Sequence, residues 1–461
     1  VEVEQRLDGA KAVPQRELIQ GVLFKAGHKL SVEDGLAGDG RHLSKGSALC
    51  LGKLPKDYDI TTNAVPAEIM KLFPRSIPLG ASFGVVTVVA DSMNFEVATF
   101  REERDYEDGR RPETLRFSKT PQEDVARRDF TINAMLLDPE KEILIDCTGG
   151  YDDLRRGVLR TIGDPVVRFS EDYLRMLRAI RFAVRLQLEL DKTAMSAIRE
   201  LAHKLRFLSS ERVRDEFTRI LCGPMPDRAF RLAAELGILK VLLPEIDAMR
   251  GVEQPPEFHP EGDVFEHTML MLSHIAYPSP ELGWSVLLHD VGKPSCRGVR
   301  EDGRVHFFSH EEKGAEMAET ILRRLKMPYR MTESITAAVR NHMRFAQVDK
   351  MRTAKWRRLI AGQNFPLELE LHRIDCISCH GKLDNYLLLL DRMHQLESSH
   401  TDAVPKPFLT GADILALGVL PGPKVGFLLK YAADLQLDGI VSTKEEALKA
   451  VADRIIHPAD V

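Results

Sequence analysis

Phe83-Gly-Val-Val-Thr-Val-Val-Ala90, then Asp91-Ser-Met-Asn94, then Phe95-Glu-Val-Ala-Thr-Phe100 reads as two strands joined by a tight turn. Both runs are rich in β-branched and aromatic residues, and the four residues between them carry turn chemistry. Upstream, Lys56-Asp57-Tyr58-Asp59-Ile60 sets two carboxylates two residues apart, and positions i and i+2 of a strand share a face. Residues 54–136 therefore read as mixed α/β. From Ser170 onward the apolar residues Leu174, Leu177, Ile180, Phe182, Val184 and Leu186 follow helical spacing, and no comparable strand pattern returns. The Pro- and Gly-rich stretch 251–262 reads as a linker, with a second all-α unit starting near Phe265. Residues 399–411, containing Pro405, Pro407 and Gly411, read as a further break before a helical tail. The fold class expected is α+β, with an α/β head followed by helical domains.

A chain of 461 residues has room for three or more domains of roughly 100–200 residues each. A net charge of −5 with 44% hydrophobic and 29% charged residues excludes disordered and fibrous classes. No apolar run approaches the ~18–20 residues that span a bilayer, and the first thirty residues lack a basic start followed by an apolar stretch, so a cytoplasmic protein is expected. Six scattered cysteines are too few for a disulfide framework, and reduced thiols are expected. Residues 155–219 carry 15 Lys/Arg against 9 Asp/Glu inside this acidic chain. Such a segment either holds a polyanion or is an Arg-rich solvated helix face.

Paired carboxylates on one strand face suit phosphoryl and nucleotidyl transfer, because they hold divalent ions against a triphosphate. Glu96, in the later hairpin strand, is a weaker candidate for a third. Downstream come Arg127-Arg128-Asp129-Phe-Thr-Ile-Asn133-Ala134 and Glu171-Asp172-Tyr-Leu-Arg175-Met-Leu-Arg178-Ala-Ile-Arg-Phe182. In this order, and over about 54–245, these motifs resemble the bacterial class II CCA-adding enzymes and their poly(A) polymerase relatives. The resemblance implies a nucleotidyltransferase head over 1–150 and a helical, RNA-binding neck over 151–250. It implies catalysis by Asp57 and Asp59 with Mg²⁺, and tRNA, CTP and ATP as partners. It also implies nucleotide binding by Arg127, Arg128, Asp129, Asn133, Glu171, Asp172, Arg175 and Arg178, the Arg-Arg-Asp segment separating ribose from deoxyribose.

Asp172 and Arg175, three apart, are expected on one helix face where both meet a single base edge. Cytosine and adenine each offer an amino donor beside a ring acceptor, which a carboxylate with a guanidinium complements; guanine and uracil reverse that order. The bland alternative is a surface ion pair. Residues 101–112 are polar and Gly/Pro-punctuated enough for a mobile loop, and resemble the loop that this family uses to switch from C to A. Arg212 and Glu216, at i and i+4, are expected to pin a helix in what resembles the neck motif.

One departure stands out: the family's Gly-Gly-x-Val-Arg-Asp turn should end at Gly52-Lys53 and is absent. Leu43-Ser-Lys45-Gly46-Ser-Ala48 occupies its place, and residues 30–51 show no clear strand pattern. Either the reading frame is disturbed locally, or a diverged loop uses Lys45 and Gly46 for the phosphates.

Residues 265–375 hold His267, then His289-Asp290-Val-Gly-Lys293, His310, His342 and Asp375. Imidazoles with carboxylates suit a transition metal or Mg²⁺ held for hydrolysis. The set resembles the HD phosphohydrolase superfamily, which implies an HD domain over 260–398 and a helical tail over 399–461. His267, His289, Asp290 and Asp375 match its metal ligands, and His310 and His342 the extra ligands of binuclear members, with Lys293 offsetting phosphate charge. Cys376-x-x-Cys379, flanked by His372 and His380, is a single CxxC without a partner and a weak zinc signal. The function expected is addition of CCA, or of the terminal A, to tRNA 3′ ends, with a second phosphohydrolase activity. The alternatives are a poly(A) polymerase and an HD hydrolase with a degenerate head. Metal, HD substrate and oligomeric state stay open.

Overall fold

The computed structural model describes residues 3–6, 30–36, 41–42, 57–78, 80–90, 93–107, 111–138, 143–255, 259–260, 262–400 and 402–457. The chain divides into two compact units, Val1–Asp247 and Ala248–Val461. Among the described residues no helix is long and apolar enough to cross a membrane.

In the first unit the strands are β1 (Val3–Arg6), β2 (Leu30–Leu36), β3 (Arg41–His42), β4 (Asp57–Thr62), β5 (Ser76–Ile77), β6 (Val85–Ala90), β7 (Met93–Thr99), β8 (Arg101–Glu107), β9 (Arg111–Phe117), β10 (Leu136–Asp138) and β11 (Ile143–Asp146). Nine of them make one mixed sheet in the order β1-β11-β10-β2-β4-β7-β6-β5, with β3 on β2. The hairpin read from the sequence forms, with Ala90 opposite Met93, although residues 91 and 92 of its turn lie outside the described residues. Alternation decides its orientation: Val86, Val88, Phe95 and Val97 are buried with Ile60 of β4 and Ile69 of α1 (Pro66–Leu72). Each such side chain contributes about 1.5–3 kcal/mol. Glu96, between Phe95 and Val97, is consequently exposed.

Two expectations are corrected here. Leu30–Leu36, read as lacking a strand pattern, is β2, antiparallel to β4 with Gly35 opposite Asp57 and Val32 opposite Ile60. Its residues Leu-Ser-Val-Glu-Asp-Gly-Leu alternate too weakly to signal a strand, and the neighbouring strands supply the pairing. The expected loop at 101–112 is instead an antiparallel ribbon of β8 and β9, with Arg101 opposite Phe117 and Glu107 opposite Arg111. A two-stranded ribbon pairs its inward-facing backbone groups and leaves the outer ones to solvent, so it needs no apolar run. Its base is fixed by Phe100 N–H to the Thr62 carbonyl and Ser118 N–H to the Phe100 carbonyl, both 2.7 Å.

Helices then take over: α2 (Pro121–Ala126), α3 (Gly150–Arg156), α4 (Pro165–Glu171), α5 (Leu174–Leu186), α6 (Ser210–Leu221) and α7 (Pro226–Glu235). Leu174, Leu177, Ile180 and Phe182 on α5 are buried, as their spacing predicts. Beyond β11, among the described residues, strand returns only as two-residue pieces, such as Val158–Leu159 against Glu189–Leu190. The second unit is built mainly from α8 (Val264–Ser273), α9 (Pro280–Leu288), α10 (His310–Arg324), α11 (Tyr329–Asn341), α12 (Phe365–Ser378), α13 (Asp384–Ser398), α14 (Gly411–Ala416), α15 (Pro423–Leu437) and α16 (Lys444–Ile456). The last three pack around Ile414, Leu428, Ala432 and Val451.

The expected linker at 251–262 lies just past the division at Asp247/Ala248, and its described residues pack within the second unit. Gly251 N–H donates to Asp263 at 2.6 Å, and buried Gln254 accepts from Lys293 at 2.6 Å. Proline and glycine mark irregular backbone, not absence of packing.

Gly150 opens α3 against the segment carrying Phe130 and Thr131, and a Cβ there would lie 2.1 Å from the Thr131 carbonyl oxygen. Gly150→Ala is therefore expected to destabilise the first unit by on the order of 2–3 kcal/mol, read as a lower urea midpoint with unchanged slope. An unchanged midpoint would show that this close approach is soft.

Candidate functional site

Asp57 and Asp59 lie two apart in β4, and Asp59 is in register with Glu96 of the parallel neighbour β7. The strand placement read from the sequence thus holds, and Glu96 falls beside it; the side chains of Asp57 and Asp59 are outside the described residues, as is Leu43–Ala48.

The Arg-Arg-Asp segment leaves the end of α2. Arg127 and Arg128 both reach back to Asp124, at 2.6 and 2.8 Å, and Asp124 is almost wholly buried. Sequence reasoning missed Asp124, although its i+3 and i+4 spacing to the two arginines was a usable signal. Arg128 also donates to the Asn133 carbonyl at 3.0 Å. Burial pushes its guanidinium down to about 10, against the upward pull of Asp129. Asp129 accepts from Asn133 Nδ2 at 3.1 Å and from Arg178 at 2.8 Å. Burial would raise its carboxyl, but Arg178, the Asn133 hydrogen bond and Arg175 outweigh it and hold it below the usual value.

Asp172 and Arg175 do not share a helix face. Asp172 closes α4 with extended backbone (φ −149, ψ 105), and α5 starts at Leu174. The reason is local: the Asp172 carboxylate accepts from Leu174 N–H at 3.1 Å, which breaks the helix between them. Arg175 donates to the Arg168 and Arg127 carbonyls, both at 2.9 Å, and pairs with Glu171. The expected Arg212–Glu216 pair is likewise absent. Arg212 reaches Asp172 at 2.7 Å, and buried Glu216 takes Arg181 at 2.7 Å and Arg219 at 2.9 Å. Much of the basic segment is thus internally paired, closer to a structural network than to an open cationic face.

In the second unit the six expected ligands converge from helix ends. His267 lies on α8, His289 caps α9, His310 opens α10, His342 caps α11 and Asp375 lies on α12. Three imidazoles donate Nδ1–H to the carbonyl three residues back: His289 to Val286 (2.9 Å), His310 to Phe307 (2.8 Å) and His342 to Val339 (2.6 Å). That bond fixes the tautomer and turns each Nε2 inward. Ligand atoms sharing one ion at about 2.0–2.2 Å, at 90–110°, stand roughly 3.0–3.5 Å apart. His267 Nε2 is 3.2 Å from Asp375 Oδ1, and His289 Nε2 is 3.0 Å from Asp290 Oδ2. His310 Nε2 is 3.2 Å from His342 Nε2 and 3.4 Å from Asp290 Oδ1.

The set fits divalent cations. Asp290 offers one oxygen to each of two groups, His267 with His289 and His310 with His342. His289 Nε2 is buried without a hydrogen bond of normal geometry. Burial pushes His342 down to about 4, so at neutral pH it is the uncharged, ligating imidazole. Burial alone would raise the Asp290 carboxyl, yet His289, Lys293 and His310 hold it well below the usual range. Lys293 Nζ stands 2.6 Å from Asp290 Oδ2. Also at this centre, and missed from the sequence, is Gln254, bound to Lys293.

Comparison with known proteins places these features. Family patterns match at 48–160 (poly A polymerase head domain), 187–250 (probable RNA and SrmB-binding site of polymerase A) and 264–377 (HD domain). The chain is 45% identical over 194 residues to a CCA-adding enzyme of Geobacillus sp. (strain WCH70), covering 42% of this chain and 48% of that one. It therefore spans about half the length of that relative. It is 35% identical over 346 residues to an A-adding tRNA nucleotidyltransferase of Deinococcus radiodurans, covering 71% of this chain and 77% of that one. The crystal structure of the Bacillus stearothermophilus CCA-adding enzyme in complex with CTP shares the fold, with a TM-score of 0.72 over 97% of this chain and 99% of that one at 24% identity.

Gly292 lets the start of α10 press on the His289-Asp290 turn, since a Cβ there would lie 2.3 Å from the His310 carbonyl oxygen and 2.6 Å from Gly314 N. Ser309 enters α10 in the left-handed region (φ 58), at a cost of about 1–2 kcal/mol, so this junction has little slack. Gly292→Ala is expected to weaken binding at the His310/His342 group while sparing the His267/His289 group. Manganese titration followed by calorimetry checks this, and equal affinity at both would refute it.

Proposed function

The chain belongs to the tRNA nucleotidyltransferase family, and from that premise we propose that it adds CCA, or the terminal A, to tRNA 3′ ends from CTP and ATP. The observation that carries the proposal is the register of β4, which sets Asp57 and Asp59 on one strand with Asp59 beside Glu96. Such hard oxygen donors suit Mg²⁺, which would be held by Asp57 and Asp59. A bound divalent ion supplies charge neutralisation at the triphosphate and orients the attacking 3′-oxygen against the α-phosphorus. Among the described residues no side chain stands out as a general base.

The remaining roles belong to the network. Asp129, held charged by Arg178 and Asn133, and Arg128, anchored on Asp124, position the nucleotide sugar. Asp172 and Arg175 read the base, not as two teeth of one helix but as neighbours across a helix break. A carboxylate has about four acceptor sites, and Asp172 uses two in the bonds to Leu174 and Arg212. Arg175 commits three of its five N–H groups to Glu171, Arg168 and Arg127. The remaining donor and acceptor capacity matches cytosine and adenine and opposes guanine and uracil.

For the HD domain we propose hydrolysis of phosphomonoesters or 2′,3′-cyclic phosphates, in keeping with end repair before addition. His267, His289, Asp290 and Asp375 would hold one divalent cation, and Asp290, His310 and His342 a second. Lys293, at 2.6 Å from both Asp290 and Gln254, keeps positive charge at the centre and orients the shared carboxylate.

Relatives named both for CCA and for A addition make primer choice the decisive assay. With tRNAs ending before the CCA, after C and after CC, offered CTP and ATP separately, the wild-type chain is expected to complete one terminus and stop. Unlimited A addition to generic RNA would favour a poly(A) polymerase. Asp57→Ala with Asp59→Ala is expected to abolish addition and leave phosphoester hydrolysis; retained addition would reject this active site. Asp172→Ala should cost about 1–3 kcal/mol of discrimination against U and G, with tRNA affinity little changed. Unaltered selectivity would reduce Asp172 to a helix-break residue. Conversely, His289→Ala with Asp290→Ala should end metal-dependent hydrolysis of a 2′,3′-cyclic nucleotide while nucleotide addition continues.

A further inference from the structure

His267 presents two nitrogens to two surroundings. Its Nε2 faces Asp375 and Asp290, whereas its Nδ1 stands 3.8 Å from Cys379 Sγ. His259 Nδ1 stands 3.5 Å from the same sulfur. The rings of His259 and His267 meet edge to face with centroids 4.8 Å apart, and the three donor atoms all lie within 4.8 Å of one another. Bonds of about 2.3 Å to sulfur and 2.0–2.1 Å to nitrogen, at the tetrahedral angle, would place the sulfur roughly 3.6 Å from each nitrogen. The two measured separations bracket that value.

The backbone brings these donors together from separate directions. Cys379 caps α12 one turn beyond Asp375, and its sulfur is 3.4 Å from Asp375 Oδ1. His259 comes from the irregular segment ahead of α8, which Gln254 also ties to Lys293 at 2.6 Å. Cys376 has a different fate. It is buried 3.6 Å from His372 and is not among the donors that gather with Cys379.

We propose that Cys379, His259 and the Nδ1 face of His267 form a further metal site, which takes a thiophilic divalent cation of the Zn²⁺ or Co²⁺ type. The proposal rests on the HD reading only in that His267 belongs to both sites; with both occupied its ring is a bridging imidazolate, its remaining ring proton having passed to solvent. Three protein donors leave an open fourth position, as in zinc sites that admit water or an anion.

The test uses the full chain, stripped of metal and reloaded with Co²⁺, because thiolate ligation gives a near-ultraviolet sulfur-to-cobalt charge-transfer band that imidazole and carboxylate ligands do not. The band is expected in the wild-type chain, lost in Cys379→Ser, diminished in His259→Ala and retained in Cys376→Ser. Elemental analysis should show one ion fewer in Cys379→Ser. Absence of the band from the wild-type chain, or its survival in Cys379→Ser, overturns the proposal. Asp290→Asn separates the two readings: it should remove cobalt from the HD centre and keep the thiolate band. Full cobalt content in Asp290→Asn counts against the HD reading alone.

Discussion

A carboxylate taken out of water must meet positive charge, and both units are organised by that demand. The effective cost of burying one ion is several kcal/mol, and removing its partner costs about 3–5 kcal/mol. In the first unit Asp124 is met by Arg127 and Arg128, Asp129 by Arg178, and Glu216 by Arg181 and Arg219. In the second, Asp290 is met by Lys293 and surrounded by imidazoles. The difference in partner matters chemically. A guanidinium stays charged and fixes geometry, whereas a neutral imidazole yields its lone pair to a metal.

Within the first unit Arg175 is the residue on which separate segments meet. Its guanidinium binds the Arg168 and Arg127 carbonyls and pairs with Glu171, so the end of α2 and the α4–α5 break are held by one planar fork. The sugar-positioning arginines and the base-reading pair are thereby set against each other by backbone contacts instead of by flexible side chains alone. A lysine at this position would carry the charge without the fork.

What was legible in the sequence was whatever local pattern determines. Alternation identified β6 and β7, helical spacing identified the buried face of α5, and the ordered His/Asp set identified a centre whose members do converge. What was not legible depended on partners distant in sequence. β2 exists because β4 and β10 flank it, and its own residues alternate too weakly to announce it. The β8–β9 ribbon stands apart from the main sheet with its outer backbone edges open, so its polar composition imitates a loop. Asp172 was assigned to a helix on spacing alone, but its carboxylate binds Leu174 N–H and ends the helix there. Arg212 lies 40 residues from the Asp172 it binds, a pairing no periodicity reveals. Cys379 and His259, 120 residues apart, met only in three dimensions.

The sheet of the first unit also bears on how the chain is made. β1 pairs with β11, Val3 opposite Asp146, and β2 pairs with β10, Val32 opposite Leu137. Neither early strand finds that neighbour until about a hundred residues or more have followed it out of the ribosome. At about 5–20 residues per second this leaves strand edges waiting for several seconds or more. Closure of the sheet is a late, non-local event of high contact order, and the β6–β7 hairpin with its parallel neighbour β4 is the natural early nucleus. The nascent chain is accordingly most exposed to misassociation before the strand ending at Asp146 emerges.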